Sequence, residues 1–124
     1  MARITLKYVD VLDGKNEKKI LEFSADLLKD PINEQSLFVS RVDGESMQPV
    51  IQDRALVVAD LSQKNIEDQG IYLVHYENRS WIKQAKKVPG KITFVSINEG
   101  FSHLAYDAAE VHVIAKVVLS FNRF

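Results

Sequence analysis

The hydrophobic residues of this chain fall mainly in short runs that are separated by Gly, Pro, Asn or Asp. Runs of this length, bounded by turn-forming residues, are typical of β-strands. They predict a mainly β fold. The predicted strands are Ile4–Leu6, Leu37–Val39, Leu56–Val58, Ile71–Val74, Ile92–Val95 and Val111–Leu119.

One short helix is predicted ahead of the second of these strands. Ser24 is a good N-cap, and Ala25 to Lys29 would form the helix. Asp30-Pro31 would end it, because the residue before a proline disfavours the helical conformation. Closer to the start of the chain, Asp13-Gly14 lies in a polar stretch and suits the tight turn of a β-hairpin.

Length and composition fit one domain: the chain has 124 residues, of which 46% are hydrophobic and 27% charged. Its 16 basic and 17 acidic side chains nearly cancel, so net charge predicts no attraction to nucleic acid or to an anionic membrane. The absence of cysteine excludes disulfides and thiolate chemistry, and no apolar run is long enough to span a bilayer. We therefore expect a soluble, cytoplasmic protein.

A serine and a lysine form the candidate catalytic pair. Ser46 follows Gly44 on a turn that continues through Met47 and Pro49. A serine hydroxyl needs a base within hydrogen-bond reach to act as a nucleophile, and a neutral lysine can be that base. Lys83 would first have to lose its proton, which requires burial to lower its pKa from about 10.4.

The sequence around the lysine favours such burial. If residues 80–86 form a strand, Trp81, Lys83 and Ala85 share one face, because side chains alternate along a strand. The amine would then lie between an indole and a methyl group, while Ile82 points into the opposite layer.

The turn itself offers main-chain N–H groups at Glu45, Ser46 and Met47 that could bind an oxyanion. Simpler interpretations remain open for both members of the pair. A serine after a glycine is most often only a turn residue, and a strand lysine is usually a solvated edge charge.

The other polar side chains predict no second site. His75, His103 and His112 lack the spacing of a zinc site, and nothing in the sequence places one of them beside Ser46. We expect no metal and no cofactor. The basic cluster Lys83–Lys87 is interpreted as a solvated turn rather than a phosphate site.

Segments spread over most of the chain match the motifs of one family. They are Gly44–Pro49, Ile51–Asp53, Ile66–Tyr72, Trp81–Lys83, Val95–Asn98 and Val113–Val118. Together they resemble the LexA-like serine–lysine peptidases, which include phage repressor C-terminal domains and UmuD-like proteins. The resemblance implies a LexA/signal-peptidase-like β fold, with Ser46 as nucleophile and Lys83 as general base of an intramolecular cut.

Phage repressor C-terminal domains are the members that this chain resembles most, because residues 8–28 are similar to the segment that follows their DNA-binding domain. We expect a single domain over residues 1–124, with a cleavage-site-like arm and the short helix in 1–36 and a catalytic β core in 37–124. The resemblance implies a fold of twisted antiparallel sheets and a homodimer or higher oligomer. It also implies stimulation of the cut by RecA filaments on single-stranded DNA, and contact with DNA only through an N-terminal domain absent from this sequence.

Two departures from the family pattern matter. The candidate scissile bond is Asp13-Gly14, where the family often has Ala-Gly. A pocket shaped for alanine would have to desolvate a carboxylate, so cutting is expected to be impaired, and a plain hairpin turn is an equally good interpretation. Asp53-Arg54-Ala55 replaces the family's Asp-Gly-Asp, so Arg54 must either avoid positive φ or carry strain.

The apolar end of the chain has two interpretations. An exposed strand edge would pair with another copy, whereas a core strand with a frayed end would not. The resemblance favours dimerisation through this strand. The candidate dimer residues are Val117, Leu119, Phe121 and Phe124.

We therefore expect the C-terminal domain of a phage-type or LexA-like transcriptional repressor, which mediates dimerisation and serine–lysine self-cleavage. One alternative is a non-catalytic dimerisation module that keeps the pair as inherited scaffold. Another is a UmuD-like polymerase accessory subunit, for which the arm is short. A signal peptidase is disfavoured because the sequence contains no membrane anchor.

Overall fold

The computed structural model of the protein describes residues 2–10, 14–29, 33–101 and 105–122. Within these ranges the chain is mainly β, as predicted, and its helices are short 3₁₀ helices at Ala25–Leu27, Glu34–Ser36, Glu99–Phe101 and Ala108–Glu110. No helix in the described ranges is both long and apolar enough to cross a membrane. The strands are β1 (Arg3–Val9), β2 (Lys18–Ser24), β3 (Leu37–Arg41), β4 (Leu56–Asp60), β5 (Ile71–Tyr76), β6 (Arg79–Val88), β7 (Lys91–Val95), β8 (Tyr106–Asp107) and β9 (His112–Phe121).

These strands form two antiparallel sheets. β1 and β2 make a hairpin, and the other described strands form a sheet in the order β3-β4-β9-β5-β6-β7-β8. Strand β6 pairs with β5 on one side and with β7 on the other. The register of β9 shifts where it meets β4 and again where it meets β5, and such bulges increase the local twist.

Every strand predicted from a hydrophobic run is present, but that pattern missed β2, β6 and β8, of which β6 is expected only as a conditional strand over residues 80–86. Strand β2 carries the apolar residues Ile20, Leu21 and Phe23, but the charged residues Lys18, Lys19 and Glu22 interrupt them, and only Phe23 is fully buried. Strand β8 is two residues long and is held by pairing with β7 rather than by its own composition.

The helix predicted from Ser24 to Lys29 is wrong beyond its first turn. Ser24 does act as the cap, because its Oγ accepts from the Asp26 main-chain N–H at 3.2 Å. The chain then forms only the 3₁₀ helix Ala25–Leu27, and Leu28 is extended and packs against the arm. A segment this short has no cooperative helical stability of its own, so the burial of Leu28 decides its conformation. Asp30-Pro31 lie outside the described residues.

The arm forms the expected hairpin, but its loop is longer than a two-residue turn. Pairing between β1 and β2 ends at Val9 and Lys18. Gly14 lies in the connecting loop with φ 73°, while Asp13 lies outside the described residues. At the start of this loop the carboxylate of Asp10 is buried and accepts from Arg41 of β3 at 2.6 Å, which ties the arm to the larger sheet.

The core is divided into three clusters. The first joins the arm to β3 and β4, the second supports the turn that carries Ser46, and the third lies along β5, β6 and β7. Their buried members are, in that order, Ile4, Leu6, Phe23, Leu37 and Val58; Val42, Met47, Ile51, Ala55 and Val57; and Tyr72, Val74, Ala85 and Phe94.

Of the two backbone conformations expected for Arg54, the structure shows the strained one, with positive φ. Its φ is 71°, in the left-handed region where a Cβ costs about 1–2 kcal/mol. The turn is nevertheless held, because the Arg54 carbonyl accepts from Arg41 Nη1 at 2.7 Å and Asp53 Oδ1 accepts from the Gly44 N–H at 2.7 Å.

Candidate active site

The turn that carries Ser46 is anchored from below by apolar side chains. Met47 and Ile51 are each 1% exposed, and the Ile51 N–H donates to the Met47 carbonyl at 2.9 Å. Gly44, which precedes the serine, has φ 115°, a conformation that favours glycine. Burial of the neighbouring Met47 therefore fixes the backbone, while Ser46 stays half-buried at the surface.

Lys83 lies in the middle of β6 and is 0% exposed. As predicted, it shares a face with Trp81 and Ala85, and its Nζ lies 5.5 Å from the centre of the Trp81 ring. Burial lowers the pKa of Lys83 from 10.5 to about 8, since an ammonium is poorly solvated there. A useful fraction of this lysine is therefore neutral near physiological pH.

The structure brings the two predicted residues together. Lys83 Nζ lies 3.4 Å from Ser46 Oγ, which is within reach but longer than an ideal hydrogen bond. Catalytic contacts are often this loose in unliganded sites and tighten when substrate binds. The arrangement can supply a serine nucleophile with an adjacent amine base.

Two further polar residues, which the sequence did not single out, also contact this pair. Ser96, just after β7, accepts from Lys83 Nζ at 2.9 Å. Asn98 donates its main-chain N–H to the Ser46 carbonyl at 2.9 Å and its Nδ2 to the Glu45 carbonyl at 2.9 Å. Both lie in a segment that resembles the family, but only the pairing of β6 with β7 shows what they contact.

The main-chain N–H groups that are expected to bind an oxyanion make no hydrogen bond within the described residues. In the described parts of the chain, the N–H groups of Glu45, Ser46 and Met47 donate to no protein acceptor, whereas the next one, at Gln48, donates to the Glu45 carbonyl at 3.2 Å. Unpaired N–H groups beside a nucleophile are the donors that stabilise a tetrahedral oxyanion.

A cleft of about 310 Å³ lies beside Ser46. The Trp81 indole N–H borders it and is buried without a partner among the described residues, a costly state for a polar group until another acceptor meets it. A larger cavity, about 570 Å³, lies at the β6–β7 hairpin and includes neither Ser46 nor Lys83. The lining of the smaller cleft is Ser40, Arg41, Val42, Asp43, Ser46, Met47, Leu73, Ser80, Trp81 and Ile82.

Comparison with known proteins agrees with this geometry. The sequence matches the Peptidase S24-like family over residues 8–118. The chain belongs to this family. It is 37% identical over 75 residues to the repressor protein CI of Enterobacteria phage phi80, and the aligned part covers 60% of this chain and 32% of that repressor. The match thus spans about a third of the length of that relative.

The structure describes one residue of the candidate scissile bond and the whole of the basic cluster of this S24-like domain. Gly14 is exposed in the loop of the arm, and Asp13, the other half of the candidate scissile bond, is outside the described residues. The basic cluster is divided by its strand: Lys83 is buried, while Lys86 and Lys87 are exposed.

The candidate dimer residues of the S24-like domain pack partly within their own chain. Val117 packs against the cluster below the Ser46 turn, and Leu119 and Phe121 pack against the cluster that includes the arm. Strand β9 lies between β4 and β5 in the sheet order, and Phe124 is outside the described residues. The role of this strand in dimerisation stays a prediction.

Two of the histidines lie opposite each other. His75 of β5 pairs in register with His112 of β9, and both are exposed. Among the described residues, no group of three or more His, Asp or Glu side chains could hold a metal ion. His103 is outside the described residues.

Proposed function

We propose that this S24-like domain is the C-terminal part of a phage-type repressor, in which it mediates dimerisation and cuts its own chain with Ser46 and Lys83. One observation carries the proposal. A fully buried lysine, with its pKa lowered to about 8, lies 3.4 Å from the hydroxyl of a serine on an anchored turn. Burial of an amine favours its neutral form, and the neutral form is the one that a general base requires.

The reaction we propose is acyl transfer within the chain. Neutral Lys83 takes the proton of Ser46 Oγ, and the oxygen attacks a backbone carbonyl carbon. The N–H groups of Glu45, Ser46 and Met47 stabilise the oxyanion. The Lys83 ammonium then returns its proton to the leaving amine as the C–N bond breaks. Water, deprotonated by the same amine, hydrolyses the ester to leave a carboxylate and free Ser46.

The pKa of the base sets the pH dependence of this reaction. With a pKa of about 8, about one molecule in ten holds Lys83 neutral at neutral pH, and nearly all do so above about pH 9. Self-cleavage should therefore accelerate as the solution becomes alkaline.

The proposed internal substrate is the bond Asp13-Gly14, and we propose that it is a poor one. Arg41, a cation that lines the cleft beside Ser46, already binds the carboxylate of Asp10. A second carboxylate at Asp13 would have to enter the cleft without that partner, which costs free energy. The Asp10–Arg41 contact does hold the start of the loop close to the cleft, which supports the arm as the source of the substrate.

Incubation at alkaline pH tests this proposal. Wild type should give slow fragments whose masses match a cut after Asp13, and Ser46→Ala should give none. Asp13→Ala, which restores the small residue that the family often carries, should accelerate the cut about tenfold to a hundredfold. Fragments that persist in Ser46→Ala would contradict the catalytic part. Efficient wild-type cutting, or no gain in Asp13→Ala, would contradict the impaired-substrate part.

Two partners belong to the proposal through the family. We propose that the domain forms a homodimer and that a RecA filament on single-stranded DNA stimulates its cut, while DNA is bound by a different domain of the repressor. The near balance of 16 basic and 17 acidic residues supports the last point, since it offers no general attraction for phosphates. Addition of preformed filaments to the cleavage reaction tests the stimulation directly.

A non-catalytic dimerisation module is the second candidate, and Asp13 is the observation that favours it. In that case the pair persists while its internal substrate has been lost. An intact dimer in which neither wild type nor Asp13→Ala cuts at any pH would support this candidate over the first.

A further inference from the structure

One short segment contacts both members of the catalytic pair. Lys83 Nζ donates to Ser96 Oγ at 2.9 Å, a shorter contact than its 3.4 Å to Ser46 Oγ. Two residues later, Asn98 holds the carbonyls of Ser46 and Glu45, each at 2.9 Å. We propose that Ser96 and Asn98 are positioning residues, of which Ser96 orients the amine of the base and Asn98 fixes the turn of the nucleophile. This inference rests on the proposed function and concerns the same site.

Ser96 can orient the base because a neutral amine has one lone pair and two N–H donors. When Ser96 Oγ accepts one N–H, rotation about the Cε–Nζ bond is restricted, and the lone pair is left for the Ser46 hydroxyl. After proton transfer the amine is an ammonium, and the same contact becomes a stronger, charge-assisted hydrogen bond. Lys83 is 0% exposed, so solvent does not readily replace Ser96 in either state.

Asn98 can fix the turn of the nucleophile because both polar atoms of its side-chain amide are hydrogen-bonded. Its Nδ2 donates to the Glu45 carbonyl at 2.9 Å, and its Oδ1 accepts from the Gly100 N–H at 3.0 Å. Its main-chain N–H meanwhile holds the Ser46 carbonyl. The peptide groups on both sides of the Ser46 Cα are thus tied to the segment that follows β7.

The position of the segment links these two tasks. Strand β7 pairs with β6, and the last pair, Val95 with Gln84, is adjacent to Lys83. Ile97, between the two positioning residues, packs against the cluster that contains Met47. A displacement of this segment would therefore move the base and the nucleophile relative to each other, and misplacement by about 1 Å can cost about a hundredfold in rate.

A direct titration tests the role of Ser96 without any need for activity. The pKa of the Lys83 amine is measured by NMR of ¹³C-labelled lysine in wild type, Ser96→Ala and Ser96→Thr. Loss of an acceptor for the ammonium should lower this pKa from about 8 to about 7 in Ser96→Ala, and threonine should restore it because it keeps the hydroxyl. Ser120→Ala is the matched control, since Ser120 is a half-buried strand serine that pairs with Val57. It should leave the pKa of Lys83 unchanged.

Labelling of Ser46 by a fluorophosphonate, followed by mass spectrometry across pH, adds the reactivity. In Ser96→Ala the pH midpoint of labelling should move down with the pKa of Lys83. The plateau rate of labelling should fall about tenfold to a hundredfold, because the lone pair of the Lys83 amine is no longer oriented toward Ser46. In Asn98→Ala the plateau should fall about tenfold while the midpoint stays at the wild-type value, since the contacts of the amine are intact. Asn98→Asp loses the Nδ2 donor and also places a negative charge beside the Glu45 carbonyl, so its plateau should fall at least as far as that of Asn98→Ala.

Amide hydrogen exchange gives Asn98 a readout of its own. Gln48, whose N–H donates to the carbonyl that Asn98 holds, should exchange about tenfold faster in Asn98→Ala, while amides of β5 keep their wild-type rates. An unchanged Lys83 pKa in Ser96→Ala would overturn the role of Ser96. Wild-type labelling and exchange in Asn98→Ala would overturn the role of Asn98.

The proposed function fails in a different way. If wild type is labelled no faster than Ser46→Ala, the serine is not activated and the peptidase proposal is wrong. The lysine titration and the amide exchange still decide in that case whether this segment positions the two groups.

Discussion

At the scale of single residues, the burial of Lys83 is unfavourable for folding but provides the neutral amine that the proposed chemistry requires. Its ammonium is excluded from water, and burial lowers its pKa from 10.5 to about 8. At neutral pH this difference corresponds to a loss of about 3 kcal/mol in folding stability. The residue is therefore expected to reduce stability in exchange for a base that is neutral under mild conditions.

Lys83→Met should stabilise the fold at neutral pH by about 1–2 kcal/mol, because the lost hydrogen bonds to Ser46 and Ser96 offset part of the removed penalty. The difference in unfolding free energy between Lys83→Met and wild type should narrow as pH rises from about 8 to about 10.5. Over that range the unfolded wild type still binds a proton at this lysine and the folded protein does not, so wild-type stability rises with pH. Urea denaturation at a series of pH values measures the gap.

Lys86→Met is the control for that experiment, since Lys86 is exposed on the same strand and its removal relieves no burial. A Lys83→Met protein that is less stable than wild type at every pH, or by a constant amount, would contradict the account of the buried amine.

Arg54 gives a second prediction at this scale. Arg54→Gly should raise stability by about 0.5–1 kcal/mol, because glycine relieves the strain of φ 71° and loses part of that gain to its greater freedom when unfolded. Arg54→Ala keeps the Cβ and should show no such gain. Thermal unfolding of the two variants distinguishes relief of backbone strain from loss of the guanidinium. Equal gains in stability in both variants would mean that the effect comes from the lost guanidinium and not from the backbone.

At the scale of elements, the buried carboxylate of Asp60 joins the end of β4 to the turn that follows and to the 3₁₀ helix Glu34–Ser36. It accepts from the hydroxyls of Ser36 and Ser62, each at 2.7 Å, and from Gln63 Nε2 at 2.8 Å. Burial alone would raise the pKa of Asp60, but these hydrogen bonds together outweigh it and hold the pKa below its ordinary value of 3.8.

Because this pKa is depressed in the folded state, the contribution of Asp60 is fully present above about pH 4 and is lost as pH falls through the folded pKa. Asp60→Asn should lower stability by about 2 kcal/mol at neutral pH and should flatten the loss of stability in acid. Chemical denaturation at neutral and acid pH checks both effects. An acid loss as steep as that of wild type would assign the acid sensitivity to other carboxylates.

Some strands and site residues could be predicted from the sequence, and others could not. Strands with an apolar run, such as β4 and β5, could be predicted because their own side chains enter the core. Strand β2 was not predicted, because charged residues interrupt its apolar positions and its pairing with β1 holds it in the hairpin. The Ser46 turn and the face of Lys83 are local features and were predicted, whereas Ser96 and Asn98 depend on the register of β6 with β7, which no local pattern encodes.

At the scale of the whole molecule, the arm and the larger sheet share one apolar cluster. Ile4 and Phe23 of the arm pack with Leu37 and Val58 of the sheet, and the ring of Phe121 on β9 lies 6.0 Å from that of Phe23. The end of β9 thus contributes to the packing of the arm, in addition to its proposed role in dimerisation.

Substitution of Phe23 and of Phe121 in turn distinguishes the role of β9 in packing the arm from its proposed role in dimerisation. Phe121→Ala and Phe23→Ala remove the same intramolecular contact from opposite sides and should each cost about 3 kcal/mol of stability. If β9 forms the dimer interface, only Phe121→Ala should also weaken the dimer, by at least about tenfold in Kd. Sedimentation equilibrium below the unfolding temperature measures this. Equal weakening in both variants, or none in Phe121→Ala, would remove Phe121 from the interface.

The rate of Ser46-dependent self-cleavage as a function of pH, compared between wild type, Lys83→Arg and Ser46→Ala, tests the central claim most directly. The wild-type rate should rise with pH and level off above a midpoint near 8. Lys83→Arg, which keeps a positive charge but cannot act as a base, should be as inert as Ser46→Ala. Wild-type cutting in Lys83→Arg, or a midpoint near the value of about 6.5 that is typical of histidine, would contradict the assignment of Lys83 as the base.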